Sequence, residues 1–144
     1  MVDVGKKKPQ RRSALARALV RFPAGLRDLA WSGRGPKGPI AEVARCAGLL
    51  AAKRTAELIP LCHPLPLDHL ELVIEPRGDD LLEVRCRAST TAKTGVEMEA
   101  LTGAALAALA IYDMTKALDK GIRIEGLELR EKTGGKSGPW LRRD

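Results

Sequence analysis

The stretch 97–121, EMEALTGAALAALAIYDMTKALDKG, limits the fold more than any other. Its residues favour a long helix, and Gly103, Ala104, Ala105, Ala107 and Ala108 crowd its middle. A helix so thin lets its neighbour come close, because interaxial distance is set by the side chains at the contact. That neighbour is either the chain's own sheet or a second copy of the same helix, and small residues alone suit both. The rest of the core has to be Leu, Val, Ile and Ala, since 44% of residues are hydrophobic but only 3% aromatic. The same helix carries Glu97 and Glu99 at one end and Asp113 and Lys116 near the other, which packing does not require.

Around it the periodicities are clear. Ser13–Phe22 alternates Ala14, Ala16, Ala18 and Val20 against Leu15, Arg17, Leu19 and Arg21, which predicts a strand. Pro23 is expected to open a short helix to Trp31, and SGRGPKGP (32–39) is a loop. Val43, Ala44, Ala47, Leu50 and Ala51 recur at helical spacing, so 40–58 reads as one amphipathic helix. Pro60, Pro64 and Pro66 exclude regular helix through the next segment. Residues 67–75 and 81–92 alternate around Gly78-Asp79-Asp80, an antiparallel hairpin with one wet face. The long helix is expected over 96–120 with Gly121 as its C′ glycine. A last strand follows at 122–132, then a loop and tail from 133 to 144. The order β, α, α, β, β, α, β predicts an α+β fold, a ferredoxin-like antiparallel sheet with helices packed on one face. With no repeat or linker, the 144 residues make one domain with basic flexible ends at about 1–12 and 133–144.

The net charge of +7 sits at those ends. Residues 1–12 hold five Lys/Arg and one Asp; residues 130–144 hold five Lys/Arg and two acids; the fifteen cations and fifteen acids between cancel. The ends are either solvated tails or covers for a polyanion, nucleic acid or a phosphorylated metabolite. One Phe and one Tyr are too few for a base-stacking platform, which counts against nucleic acid. No apolar run approaches transmembrane length, and the basic N-terminus lacks the apolar core of a signal peptide. Three scattered cysteines, with no CxxC, fit a reduced, cytoplasmic protein.

LIPLCHPLPL (58–67) places Cys62 and His63 in a proline-stiffened segment. Adjacent extended residues point apart, and no second Cys/His pair lies at ligand spacing, so no metal site is expected. Cys62 alone fits a buried thiol; His63 fits binding or proton transfer as well as a hydrogen-bonded loop histidine. KTGGKSGP (132–139) is not a phosphate-binding P-loop, because Arg130 stands where its first glycine belongs. Asp113 and Lys116 share a helical face one turn apart, which fits either a surface ion pair or an acid/base pair. Glu99 and Asp113 lie within about 40° on the helix but ~21 Å apart along it. One small substrate within one subunit cannot use both, so either one cluster is structural or a partner subunit brings the two ends together.

IPLCHPLPL, TGVEMEALTGAALAALAIYDMTKALDKG and LREKTGGKSG closely resemble the molybdenum cofactor biosynthesis protein C (MoaC) family of cyclic pyranopterin monophosphate synthases, and MVDVGKKKPQRRSALA and AAKRTAELIPLCHP resemble its N-terminal half. The resemblance implies a homohexamer, a trimer of dimers, with active sites at the dimer interface. It implies conversion of 3′,8-cyclo-7,8-dihydroguanosine 5′-triphosphate to cyclic pyranopterin monophosphate and diphosphate, a lyase-type reaction. No cofactor is implied, and whether Mg2+ accompanies the triphosphate stays open. Matched to the family's motifs, Asp113 and Lys116 are catalytic. Leu61, Cys62, His63, Glu97, Met98, Glu99, Lys37 and Lys132 contact substrate. Lys37 precedes Gly38-Pro39, where the family has Asp after the glycine, so its pose is the least determined. Many members carry a leader before MVDV, whose role is expected to be missing here. Crowding by other lysines is expected to lower the Lys116 pKa, and the lysines and Arg54 are candidates to hold the triphosphate. The competing readings are a basic ferredoxin-like nucleic-acid-binding module and a structural oligomer whose charged residues only seal interfaces.

Overall fold

In the computed structural model, which describes residues 1–143, β1 (Gln10–Arg21) runs through the middle of a five-stranded sheet. Its two-residue period sends Ala14, Ala16, Ala18 and Val20 inward with no exposure, while Arg17 and Arg21 face the other side. On one edge β1 pairs antiparallel with β3 (Leu81–Ala92), which itself pairs with β2 (His69–Arg77) across the turn 78–80. On its other edge β1 pairs antiparallel with β4 (Arg123–Thr133), giving the order β2-β3-β1-β4-β5. The register slips between Arg17 and Leu19, and Gly126, with φ 60°, packs against Leu19 there; a bulge of this kind needs a residue free of Cβ.

All the helices pack on one face: α1 (Leu26–Trp31), α2 (Ile40–Lys53), the single turn α3 (Thr55–Leu58) and α4 (Glu97–Thr115). The α4 helix covers β1, β3 and β4, and α2 lies beside it over β2. The crossing of α2 and α4 is tight. A Cβ on Gly48 would stand 2.3 Å from Leu72 Cδ1 and 2.7 Å from the Gly103 carbonyl oxygen, and one on Gly103 would stand 2.6 Å from Cys86 Sγ. The small residues of α4 therefore serve packing within the chain: Gly103, Ala104, Ala107 and Ala108 are all buried there.

The α+β, ferredoxin-like expectation is met, with several local differences. Pro23 does not open α1; Gly25, left-handed at φ 77°, precedes it and the helix starts at Leu26. The helix expected over 40–58 breaks at Arg54 (φ −112°, ψ 18°), where the Thr55 hydroxyl donates to the Ala52 carbonyl. Of its expected apolar stripe, Ala44 and Ala51 are buried but Val43 and Leu50 are 50% and 57% exposed, because the side facing α4 must be the thin one at Gly48. The α4 helix stops at Thr115, five residues short of the expected end, as the Leu118 amide turns back to the Thr115 carbonyl; Gly121 is not its C′ glycine and has no positive φ. The ends are also more structured than expected. Gln10–Arg12 belong to β1, and Trp140–Leu141 form β5 against Lys132 and Glu131. The last residue of the expected C-terminal tail, Asp144, lies outside the described residues. Among the described residues no helix is long and apolar enough to cross a membrane.

Candidate functional site

The helix α4 separates two chemically different neighbourhoods. At its C-terminal end Asp113 projects from the last full turn, with Lys116 one turn on at the C-cap. Lys116 Nζ lies 2.7 Å from Asp113 Oδ1 and Lys37 Nζ 2.6 Å from Oδ2, so each carboxylate oxygen takes one ammonium. Lys37 reaches it from the loop between α1 and α2. Pro39 forms the N-cap of α2 without a side-chain cap, as a proline must. An Asp there could have capped the helix; here the ion pair to Asp113 is what fixes Lys37. All three side chains are about half exposed. Hydrogen bonds from Lys116, then Lys37, hold the Asp113 carboxyl down to about 2. The same hydrogen bond raises the Lys116 pKa. The expectation of a lowered lysine is therefore wrong: the nearest charge to Lys116 is an anion, not another lysine.

At the N-terminal end, Glu97 and Glu99 are two positions apart, or ~200° around the helix, and face different ways. Glu99 is 4% exposed and lines a small cavity of about 130 Å³ with Arg54, Pro64 and Leu65. Burial raises its pKa, and burial and then Glu99 push the half-buried Cys62 thiol up. The proline-rich segment curls so that the Cys62 amide donates to the Ile59 carbonyl. His63 Nε2–H donates to the Val2 carbonyl at 2.9 Å, which ties this segment to the N-terminus. Leu61 and Met98 are exposed at 71% and 38%.

Glu97 turns to the other side, 3.6 Å from Lys132. Lys132 Nζ also donates to Ser137 Oγ at 2.9 Å. These residues border a cleft of about 710 Å³, where residues 3–12 meet residues 132–137. Thus the candidates gather as Lys37–Asp113–Lys116, as Cys62–Glu99 with His63 nearby in sequence, and as Glu97–Lys132. Glu99 and Asp113 remain ~21 Å apart along one helix. Among the described residues no three His, Cys, Asp or Glu side chains gather as a metal site.

Arg12 was not foreseen as part of this region. It is 9% exposed, on the inward face of β1, and its Nε and Nη2 donate to the Ala92 and Lys93 carbonyls. The signal was present: extending the alternation of Ala14, Ala16 and Ala18 back by one step puts a cation on the buried face.

The chain matches the MoaC family model over residues 1–135. It is 51% identical to the cyclic pyranopterin monophosphate synthase of Thermomicrobium roseum, an alignment covering 100% of this chain and 87% of that protein. It is 51% identical to the synthase of that name in Novosphingobium aromaticivorans, over 97% of this chain and 88% of that one. The protein of the same name in Chloroflexus aggregans is 50% identical, over 100% and 88%.

Proposed function

The chain belongs to the MoaC family, and from that premise we propose which of its residues carry the family's reaction. It catalyses synthesis of cyclic pyranopterin monophosphate from the 3′,8-cyclised dihydroguanosine triphosphate, a lyase-type conversion that releases diphosphate. The observation that carries the assignment of the catalytic end is the carboxylate of Asp113 held between two ammonium groups.

Opening the dihydropurine ring, moving protons between nitrogen and carbon, and closing the new ring need an acid and a base side by side. Asp113, ionised at neutral pH, is the base. Lys116 and Lys37, both cationic, are the acids or the counter-charges. Substrate that reaches Asp113 displaces one ammonium, and that ammonium is then free to meet negative charge as it builds on the leaving diphosphate. Leu61, Cys62, His63, Glu97, Met98, Glu99 and Lys132 form the binding walls. Glu99, buried with a raised pKa, suits a neutral hydrogen-bond donor to a heteroatom of the substrate.

The two ends of α4 serve one substrate only across a subunit boundary, which supports a site shared between two subunits; that those dimers assemble into a homohexamer is what the family resemblance implies. Exposed Val43, Leu50 and Leu109 on the outer surface of α2 and α4 support such an assembly, since they offer apolar area for a second chain to cover. The steps are proton transfers and a displacement, so no redox cofactor takes part, and any Mg2+ arrives with the triphosphate. The test is incubation of the purified chain with the cyclised triphosphate, with mass detection of the pterin and of diphosphate. Absence of both products would sink the assignment.

A further inference from the structure

We propose that Arg142 is a positioning residue: by fastening β5 to β4 it closes the turn 133–139 and so holds Lys132 in place. Its weight in the reaction rests on the substrate contact proposed for Lys132 above.

A lysine ends in an ammonium group on a long flexible stem, so its aim depends on its partners. Lys132 Nζ donates to Ser137 Oγ at 2.9 Å and lies 3.6 Å from Glu97. Ser137 is the nearer of the two, and it belongs to the turn rather than to the sheet. That turn, TGGKSGP, contains Gly134, Gly135 and Gly138 at φ 83°, 86° and 65°. Left-handed glycines let the chain fold back, but glycine also has the most conformational freedom to lose on ordering. The bonds made by the turn's own amides are long, Gly138 to the Gly135 carbonyl at 3.2 Å and Gly135 to Gln10 Oε1 at 3.3 Å. The shape of the turn therefore depends on how its two ends are held.

One end is held by β4, the other by Arg142. The Arg142 amide donates to the Arg130 carbonyl at 2.8 Å, and its Nε donates to the Leu129 carbonyl at 3.0 Å. The same Nε lies 3.4 Å from Glu128 Oε2. The guanidinium also lies over the Trp140 ring, 5.7 Å from its centroid, so it braces β5 as well as β4. With Arg142 in place, Leu141 stands opposite Glu131 and Trp140 opposite Lys132. Edge protection is the competing role for such a strand. Among the described residues, however, β5 pairs with two of the eleven residues of β4, both at the end that carries Lys132. A shield would run along the edge; a latch on the turn belongs where β5 is.

The experiment is steady-state kinetics of the full chain on the cyclised triphosphate, in a double-variant cycle with Lys132→Met. Arg142→Pro removes the amide donor and the guanidinium together. It should raise KM about fivefold or more and leave kcat within about twofold, because a misplaced Lys132 loses binding made equally in the ground and transition states. Arg142→Lys keeps the amide and the charge, and its KM should stay within about twofold of native. Lys132→Met should raise KM by itself, and adding Arg142→Pro to it should change KM by less than about twofold, since the lysine to be positioned is gone. Hydrogen exchange at 133–139 should quicken in Arg142→Pro while the amides of α4 and β1 keep their protection. Native KM in Arg142→Pro, unquickened exchange in the turn, or a further rise of KM in the double variant each overturns the proposal. Loss of protection in α4 and β1 makes β5 a structural strand and overturns it too. Native KM in Lys132→Met removes the substrate contact itself, and the positioning role with it, even where exchange shows the turn latched.

Discussion

Asp113 sits where chemistry and electrostatics can be separated by experiment. Its carboxyl is held near about 2, against an ordinary 3.8, by two ammonium groups. A depressed carboxyl pKa means that the ion pairs are complete above 3.8 and are lost as pH falls through about 2. A carbon-13 titration should show no Asp113 transition near 3.8 in the native chain, and Lys116→Met should move it up toward that value; a midpoint already at 3.8 in the native chain would rule out the paired geometry. Asp113→Ala and Lys116→Ala should each cost ~10²–10⁴-fold or more in turnover, the range of a lost acid or base. Both groups are exposed, so the fold should persist, and a near-native rate from either variant removes its catalytic role. The two histidines make a second contrast. His63 is half-buried and tied to Val2, whereas His69 is exposed at the start of β2. His63→Ala should lose about tenfold or more in kcat/KM, of the order of one hydrogen bond, while His69→Ala stays near native; equal losses side by side would end the case for the loop. The helical spacing made the Asp113–Lys116 pair readable from sequence. The motif match marks Lys37 only as a substrate contact; its place beside Asp113 is not legible in the sequence, because 76 residues separate the two and only the tertiary fold closes that gap. The direction of the Lys116 shift was misread for the same reason: spacing along a chain does not say which charge is nearest in space.

At the scale of elements, the α2–α4 crossing decides how the sheet is covered. Gly48→Ala tests it, because two effects of known size oppose each other there. Alanine gains about 1 kcal/mol of helix propensity over glycine. The new methyl would press against Leu72 Cδ1, the Gly103 carbonyl and Ala107 Cβ, contacts at 2.3, 2.7 and 3.0 Å. Overpacking of this kind costs about 1–3 kcal/mol and more where backbone cannot give way. The net should be destabilising, read as a lowered midpoint in urea; an unchanged or raised midpoint would mean that the helices can separate cheaply. The same crossing explains which elements could be read in advance. β1 and β3 were legible because their alternation is uninterrupted and one face is dry. The extent of α2 was not, since nothing local to Arg54 announces a break that the Thr55 hydroxyl and its burial complete. Its buried face was misassigned because hydrophobicity pointed to Val43 and Leu50, whereas close approach selects Gly48. β5 escaped notice because two residues pairing with an edge leave no period to detect.

For the whole molecule the question is whether one chain is a complete catalyst. Leu50, Leu109 and Val43 leave apolar surface uncovered on the helix layer. The acidic pair at one end of α4 and the charged triad at the other are ~21 Å apart by the ~1.5 Å rise per residue. The reactive rings of a nucleoside triphosphate occupy one place, so the two ends act on one substrate only if they come from different subunits. An antiparallel approach of two copies would set Glu99 of one chain near Asp113 of the other, and would produce two equivalent sites per dimer. Mixing inactive Glu99→Ala chains with inactive Asp113→Ala chains, after dissociation and reassembly, should then restore activity. In a mixed dimer one site collects both lesions and the other neither, so half the sites of each heterodimer become native. Both parents must be inactive alone and must reassemble fully, which single-variant assays and size-exclusion chromatography establish beforehand. Co-purification through two different tags shows that heteromers form. If they form and activity does not return, the shared site is wrong, and one end of α4 carries its charges for structure alone.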